Sequence, residues 1–394
     1  MVRLGETSLG KERARSHSKV PFPPYPHQRG VFDPLQSSSR LLHGIRQVGF
    51  DGLTSFPTKC STSVTRFRGG LGNKTVKYFI IKGISDLPEL QVPVFFLVLL
   101  LYLITLGGNL TILLLVCRER QLHTPMYFFL GNLSVLDISS TTLTLHKSLT
   151  SFVTGDKIVS FVECMAHAYF FMALECTELL ILGAMSYDRY VAVCDPLHYH
   201  MVMSYTVCIT LAAMCWVCGF VEVIPHTFIL SNFTCYTSNV INHFFCDVLP
   251  LMTISCSDVS TLKLWIVTEG VFVSGLIPLS MTVIPYIFII LAILKIKTNH
   301  GRRKAFYTCS SHLTIVVLLY VTLYCLYLSP TSENTLGSHK LFSLFNTAAV
   351  PLLNPIIYSL KNKEVKSAMK KLLNLLCVKP KQFAYFNKKS INGM

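Results

Sequence analysis

Apolar residues in this chain come in long blocks rather than in the short alternations of a soluble domain. Seven such blocks lie at about 92–117, 125–147, 164–193, 205–230, 264–294, 305–328 and 341–360, with polar or turn-rich stretches between them. A hydrocarbon core about 30 Å thick is crossed by about 20 helical residues. Each block therefore predicts one spanning helix, since a helix satisfies its own backbone polar groups in lipid. The expected fold is an all-α membrane protein built as a seven-transmembrane-helix bundle. After the seventh block, LKNKEVKSAMKKLLNLL sets Leu360, Val365, Met369, Leu372 and Leu373 along one side and lysines on the other. That spacing predicts a short amphipathic helix lying on the membrane.

Residues 1–72 are a different material, rich in Ser, Pro, Gly and Arg and without sustained apolar periodicity. They are expected to form a disordered extracellular extension, and they carry no apolar region of the kind a cleavable signal needs. Residues 73–374 then make the helical domain and 375–394 a cytoplasmic tail. Composition agrees with a membrane protein: 51% of the chain is hydrophobic and 14% charged, against about a quarter charged in soluble proteins. The net charge of +15 does not indicate nucleic acid, because no basic and aromatic residues interleave to stack bases. It suits anionic lipid and an orientation signal. Arg118, Arg120, Lys295, Lys297, Arg302, Arg303 and Lys304 fall on one face with the lysines of the tail, which puts the C-terminus in the cytoplasm and the N-terminus outside.

Several polar residues stand inside the blocks. Asn109 follows Gly107-Gly108, a combination that allows close helix contact and an interhelical hydrogen bond. Asp137 lies in the second block, and Glu175 and Glu178 lie three residues apart in the third. Glu178 is the candidate partner of Asp137; two acids meeting in low dielectric must share a proton or a cation such as sodium, or each bonds nearby hydroxyls. Asp188 and Arg189 stand side by side where the third block ends. Such a pair is a reversible switch or an interfacial cap whose arginine snorkels to phosphates. In the seventh block Pro355 breaks a helical hydrogen bond beside Asn354 and Tyr358. Cys164, Cys235, Cys246 and Cys256 share the outer face and suggest two bridges, for which three connectivities exist. Asn73 and Asn232 head glycosylation acceptor triplets on that face. No cofactor is expected, and no metal beyond a sodium ion.

Five motifs occur in order: Gly108-Asn109, LHTPMYFFLGNLSVLD (Leu122 to Asp137), MSYDRYVAVCDPLHY (Met185 to Tyr199), KAFYTCSSHL (Lys304 to Leu313) and PLLNPIIYSLKNKEV (Pro351 to Val365). Over about Thr75 to Lys371 the chain resembles an odorant receptor of the rhodopsin-like G-protein-coupled receptor family. The resemblance implies a plasma-membrane receptor for a small odorant that activates a heterotrimeric G protein of the olfactory stimulatory type, and not an enzyme. It implies that Asp188, Arg189 and Tyr190 form the G-protein switch, with Tyr286, Asn354, Pro355 and Tyr358, and that Tyr320 sits at a hinge. It implies bridges Cys164–Cys246 and Cys235–Cys256, and a sodium-type site at Asp137 and Glu178. An apolar ligand pocket would lie in the outer halves of the third, fifth, sixth and seventh helices. One-turn spacing then nominates Phe171, Met172, Glu175, Cys176, Ser274, Leu323, Tyr324, Tyr327 and Thr347. Four features depart from the pattern: Asp195 before Pro196, Tyr307 in place of serine, Leu319-Tyr320-Val321 in place of Phe-Tyr-Gly, and an N-terminal arm long enough to suggest a misassigned exon.

Two other readings compete. A non-olfactory rhodopsin-like chemoreceptor would carry the same motifs. An ion-conducting protein would use Asp137, Glu178 and Glu175 as a path, but no inverted repeat with broken helices and no selectivity-filter string is found.

Overall fold

The computed structural model describes residues 76–85, 87–327, 336–361, 364–372 and 374. The expected extension (1–72), the acceptor Asn73 and the tail 375–394 lie outside the described residues.

Seven helices form where the apolar blocks predict them: α1 (Pro88–Arg118), α2 (Pro125–Thr154), α3 (Phe161–Cys194), α4 (Tyr205–Ser231), α5 (Ser260–Lys295), α6 (Asn299–Tyr327) and α7, which begins at Leu336 and runs to Lys361. Among the described residues six helices are long and apolar enough to cross a membrane by length and composition alone. The seventh is α2, whose 30 residues include Asp137 and the hydroxyl run SSTTLT. It is the polar member of the bundle and packs between α1 and α3. Most helices run past the expected ends. The largest extension is at α2, which runs to Thr154 rather than 147; α6 starts at Asn299 rather than 305 because the basic segment NHGRRK continues the helix.

The helices are less regular than their blocks. α4 is two helices, Tyr205–Glu222 and Ile224–Ser231, parted at Val223, with Pro225 in the first turn of the second. α5 and α7 contain π-helical turns at Phe272–Leu276 and Phe345–Ala349, which no apolar periodicity announces. The helical bundle carries one small addition. A small sheet of order β2-β1-β3 joins β1 (Tyr78–Ile81), β2 (Ile158–Ser160) and β3 (Val240–Ile241). Its strands are two to four residues long and come from three distant parts of the chain, so no local alternation reveals them.

α3 is the central helix, packed against α2, α4, α5 and α6, while α7 packs on α1, α2 and α6. Close approach depends on small residues. A Cβ on Gly108 would stand 2.9 Å from Pro355 of α7, and one on Gly219 would stand 2.3 Å from the Thr177 hydroxyl of α3. As its neighbours predict, Asn109 makes an interhelical bond, its Nδ2 donating to the Pro351 carbonyl at 3.1 Å. Residues 364–372 are helical. Val365 and Ala368 are buried against the main core, with Met369 and Leu372 packed on it, so the expected amphipathic helix docks under the bundle. Tyr127 donates to Glu364 at 2.8 Å, and Lys371 pairs with Glu119 at 3.3 Å, which ties this helix to α2 and to the turn after α1.

Candidate functional site

The candidate switch lies at the end of α3. Asp188 is fully buried. Arg189 donates to its Oδ2 through Nε at 2.9 Å and also through Nη2. Its other oxygen accepts the Tyr199 hydroxyl at 2.8 Å. Tyr199 sits on a one-turn helix, Tyr199–Val202, that follows α3. Burial, reinforced by the Asp188 carboxylate, holds the Tyr199 phenol well above its ordinary pKa, so it stays a donor. Both carboxylate oxygens are thus occupied. Tyr190 leaves this cluster and packs on Phe288 of α5, ring centroids 5.9 Å apart. Asp195 is half-exposed and pairs with His198 at 2.9 Å.

The other switch residues occupy the inner bundle. Tyr286 of α5 is 2.8 Å from His312 Nδ1 and donates toward the Cys309 carbonyl at 3.3 Å, fastening α5 to α6. Tyr358 is buried, and among the described residues its hydroxyl has no hydrogen-bond partner. Asn354, beside Pro355, donates to both oxygens of Asp137 at 2.9 Å. Glu178 is 4% exposed, its Oε1 has no hydrogen-bond partner among the described residues, and it lies within electrostatic reach of Asp137 and Glu175. Asp137 therefore has an amide as its direct partner, with Glu178 nearby. Tyr320 is half-buried beside Thr282.

The nominated pocket residues separate into three groups. Phe171 and Glu175 share one face of α3, one turn apart. Phe171 packs edge-on against Phe245 at 4.8 Å, and both oxygens of Glu175 accept from Asn346 at 3.1 Å. Asn346 also accepts from Thr322 of α6 at 3.2 Å. Tyr327 lies within reach of the charges of Asp247 and Glu175 and belongs with them. Met172 and Leu323 are half-buried, each packed on a hydrophobic cluster. Cys176 and Ser274 lie instead toward α4: Ser274 donates to Glu222 at 2.6 Å and Glu269 at 3.2 Å, and Glu269 is 2.7 Å from His226. Tyr324 and Thr347 stand apart from these. Tyr324 is 60% exposed on the outer stripe of α6 with Val317 and Val321, so it faces away from the bundle. Thr347 is buried, but its hydroxyl bonds its own helix at Ser343.

Sequence reasoning missed the plug beside this site. In the loop after α4, Phe244 and Phe245 are fully buried and cluster with Val98, Leu145, Phe171 and Ala348 from four helices. His243 stacks on Phe244 at 4.6 Å; burial, with Lys340 nearby, pushes its pKa down to about 3. Asp247 is 2% exposed and pushed up to about 6 by burial, although its Oδ1 accepts the Val248 amide at 2.7 Å. Cys164 is bonded to Cys246, with Cα atoms 5.4 Å apart, and Cys235 to Cys256 at 5.2 Å. Asn232 is exposed on this face, its Nδ2 donating to the Phe228 carbonyl. A polar loop with one aromatic pair gives no apolar block, and the cysteine ahead of Asp247 was the available signal. A C-x-x-C within α4, Cys215 and Cys218, holds free thiols. Among the described residues no group of three or more His, Cys, Asp or Glu is arranged to hold a metal ion.

Comparison with known proteins covers most of the chain. A family model described as olfactory receptor matches residues 98–375. The chain is 44% identical over 301 residues to olfactory receptor 5B12 of Homo sapiens, covering 76% of this chain and 95% of that one. It is 44% identical over 299 residues to olfactory receptor 8U3 of Mus musculus, covering 76% and 93%. Among solved structures it is similar to squid rhodopsin, with a TM-score of 0.58 at 16% identity, covering 74% of this chain and 88% of that one.

Proposed function

The chain belongs to the olfactory receptor family, and from that premise we propose that it binds a small odorant among the outer halves of α3, α5, α6 and α7 and activates a heterotrimeric G protein of the olfactory stimulatory type. It is a multi-pass plasma-membrane protein of a receptor family, not of an enzyme family. In this reading the N-terminus is extracellular and the C-terminus cytoplasmic, residues 1–72 form an extracellular extension, and Asn73 and Asn232 are glycosylated. Asp137 and Glu178 hold a sodium ion or a shared proton in the resting bundle.

The observation that carries the proposal is the closed switch at Asp188. Its two oxygens are held by Arg189 and Tyr199, so the guanidinium is occupied. A change in helix packing caused by a ligand outside would free Arg189 to meet a G-protein helix. A charge pair buried at that depth costs several kcal/mol unless matched, and that cost makes the open and closed states differ sharply. Tyr286 and Tyr358 then support the opened cavity once the Tyr286–His312 contact lets α6 move. A cyclic AMP reporter in cells screened with diverse volatiles tests this. Wild type should respond to at least one compound, and Arg189→Ala, present at the surface, should lose that response. Retained response in Arg189→Ala would overturn the switch assignment.

A further inference from the structure

Four buried acids run from the outer loop into the bundle: Asp247, Glu175, Glu178 and Asp137, all 9% exposed or less. Each lies within electrostatic reach of a neighbour in the series, Asp247 to Glu175 and Glu175 to Glu178 and Asp137. Their direct partners are mostly amides: Asn354 for Asp137, Asn346 for Glu175 and a backbone N–H for Asp247. Among the described residues Glu175 has no ion-pair partner, and Glu178, 96% buried by the same measure, has an oxygen with no partner at all. A buried carboxylate is costly in its charged form unless a cation meets it. Glu178 and Asp137 add like charge to this series, and the buried Lys340 stands near His243 of the same loop; a proton or a cation brought in from outside relieves the acids.

Beside the outer end of this series stands an aromatic wall. Phe171 lies one turn before Glu175 on the same face of α3 and packs on Phe245, which is two residues from Asp247. Tyr327 of α6 lies within reach of both Asp247 and Glu175. Carboxylates select positive charge, and aromatic faces favour an organic cation over a hydrated inorganic one.

We infer that this receptor is tuned to protonated amines with an apolar body, the ammonium held between Glu175 and Asp247 and the body lying against Phe171 and Phe245. The inference rests on the pocket reading proposed above and deepens it by naming the ligand class. Asn346 acts as a positioning residue that keeps both Glu175 oxygens turned toward α7.

The test compares amines with alcohols and carboxylic acids of the same carbon skeleton, for instance benzylamine, benzyl alcohol and benzoic acid, or the isoamyl series, in the cyclic AMP assay. The expected result is response to amines at concentrations at least about tenfold lower than to the alcohols, and none to the acids. Glu175→Gln should raise the half-maximal amine concentration by about tenfold or more while changing alcohol responses little. Should Glu175→Gln fail to reach the surface, Asp247→Asn, outside the spanning segments, tests the same point with a smaller shift in the same direction. Alcohols or esters outperforming amines, or unchanged amine response in the tested variant, would overturn the inference and leave the odorant-receptor reading standing. Silence of the surface-expressed wild type toward every volatile would count against both.

Discussion

The outer and inner ends of the bundle hold their loops by opposite means. Outside, the loop after α4 is fixed by two covalent bridges, by a strand in the small sheet and by two phenylalanines driven between four helices. Inside, the one-turn helix after α3 is held by a hydroxyl on Asp188, and α6 by a hydroxyl on His312. Each inner contact is a hydrogen bond worth about 1–3 kcal/mol, whereas a native disulfide is worth about 2–5 kcal/mol. The difference teaches where motion is affordable. A receptor needs a binding end that keeps its shape and a signalling end whose two arrangements lie within the reach of a small ligand's binding energy.

The comparison is broken most severely by removing its strongest member. Cys164→Ala should cost about 2–5 kcal/mol and cut surface expression to a small fraction of wild type, read by antibody labelling of intact cells. Tyr199→Phe, which removes one inner hydrogen bond and leaves the Asp188–Arg189 pair in place, should reach the surface in much larger amounts. Equal expression of the two variants would deny that the outer end carries the stability.

The outer loop should also carry the pH dependence of stability, with two opposed contributions. Asp247 is raised to about 6 in the fold, so between about pH 4 and 6 the folded chain keeps a proton that the unfolded chain has lost, and stability falls as pH rises. His243 is lowered to about 3, so between about pH 3 and 6.5 the unfolded chain holds the extra proton, and stability rises with pH. Asp247→Asn removes the first and leaves the second. Thermal unfolding of the detergent-solubilised variant should then rise more steeply from pH 4 to 6 than wild type, by up to about 3 kcal/mol across the window. Identical slopes would refute the assignment to Asp247.

At the inner end, Tyr199→Phe removes one donor from a buried carboxylate, worth about 1–3 kcal/mol. Basal cyclic AMP should rise several-fold at matched surface level. A fall in stability with unchanged basal signal would make Tyr199 a structural residue. The smallest effect is expected at Tyr324, which faces away from the bundle: Tyr324→Ala should leave agonist concentrations within about twofold of wild type.

What the sequence made legible follows the physics of lipid. Long apolar blocks with charged ends have one solution in a bilayer, so the seven helices were readable, with ends off by up to seven residues, and so was the amphipathic helix, though not its docking under the bundle. Local motifs such as Asp188-Arg189 and Asn354-Pro355 were readable because their members are neighbours. Features that depend on distant pairing were not. The three-stranded sheet joins residues near 79, 159 and 240; the π-turns arise from packing; and Asn346, which holds Glu175, sits in one of them. The Phe244–Phe245 plug was hidden because a polar loop gives no sign that its aromatics enter the bundle. Tyr324 shows the limit of counting helical turns without knowing the helix rotation. One-turn spacing placed it with Tyr327, yet it shares a stripe with Val317 and Val321.

The central claim is that the buried Asp188 carboxylate keeps Arg189 closed at rest. The most direct measurement is basal cyclic AMP in cells carrying Asp188→Asn at surface levels matched to wild type, without ligand. An amide in place of the carboxylate weakens the hold on the guanidinium, so the basal signal should rise above that of Tyr199→Phe and should return to background when Arg189→Ala is added. A basal signal equal to wild type would contradict the account, as would a raised signal that survives the loss of Arg189.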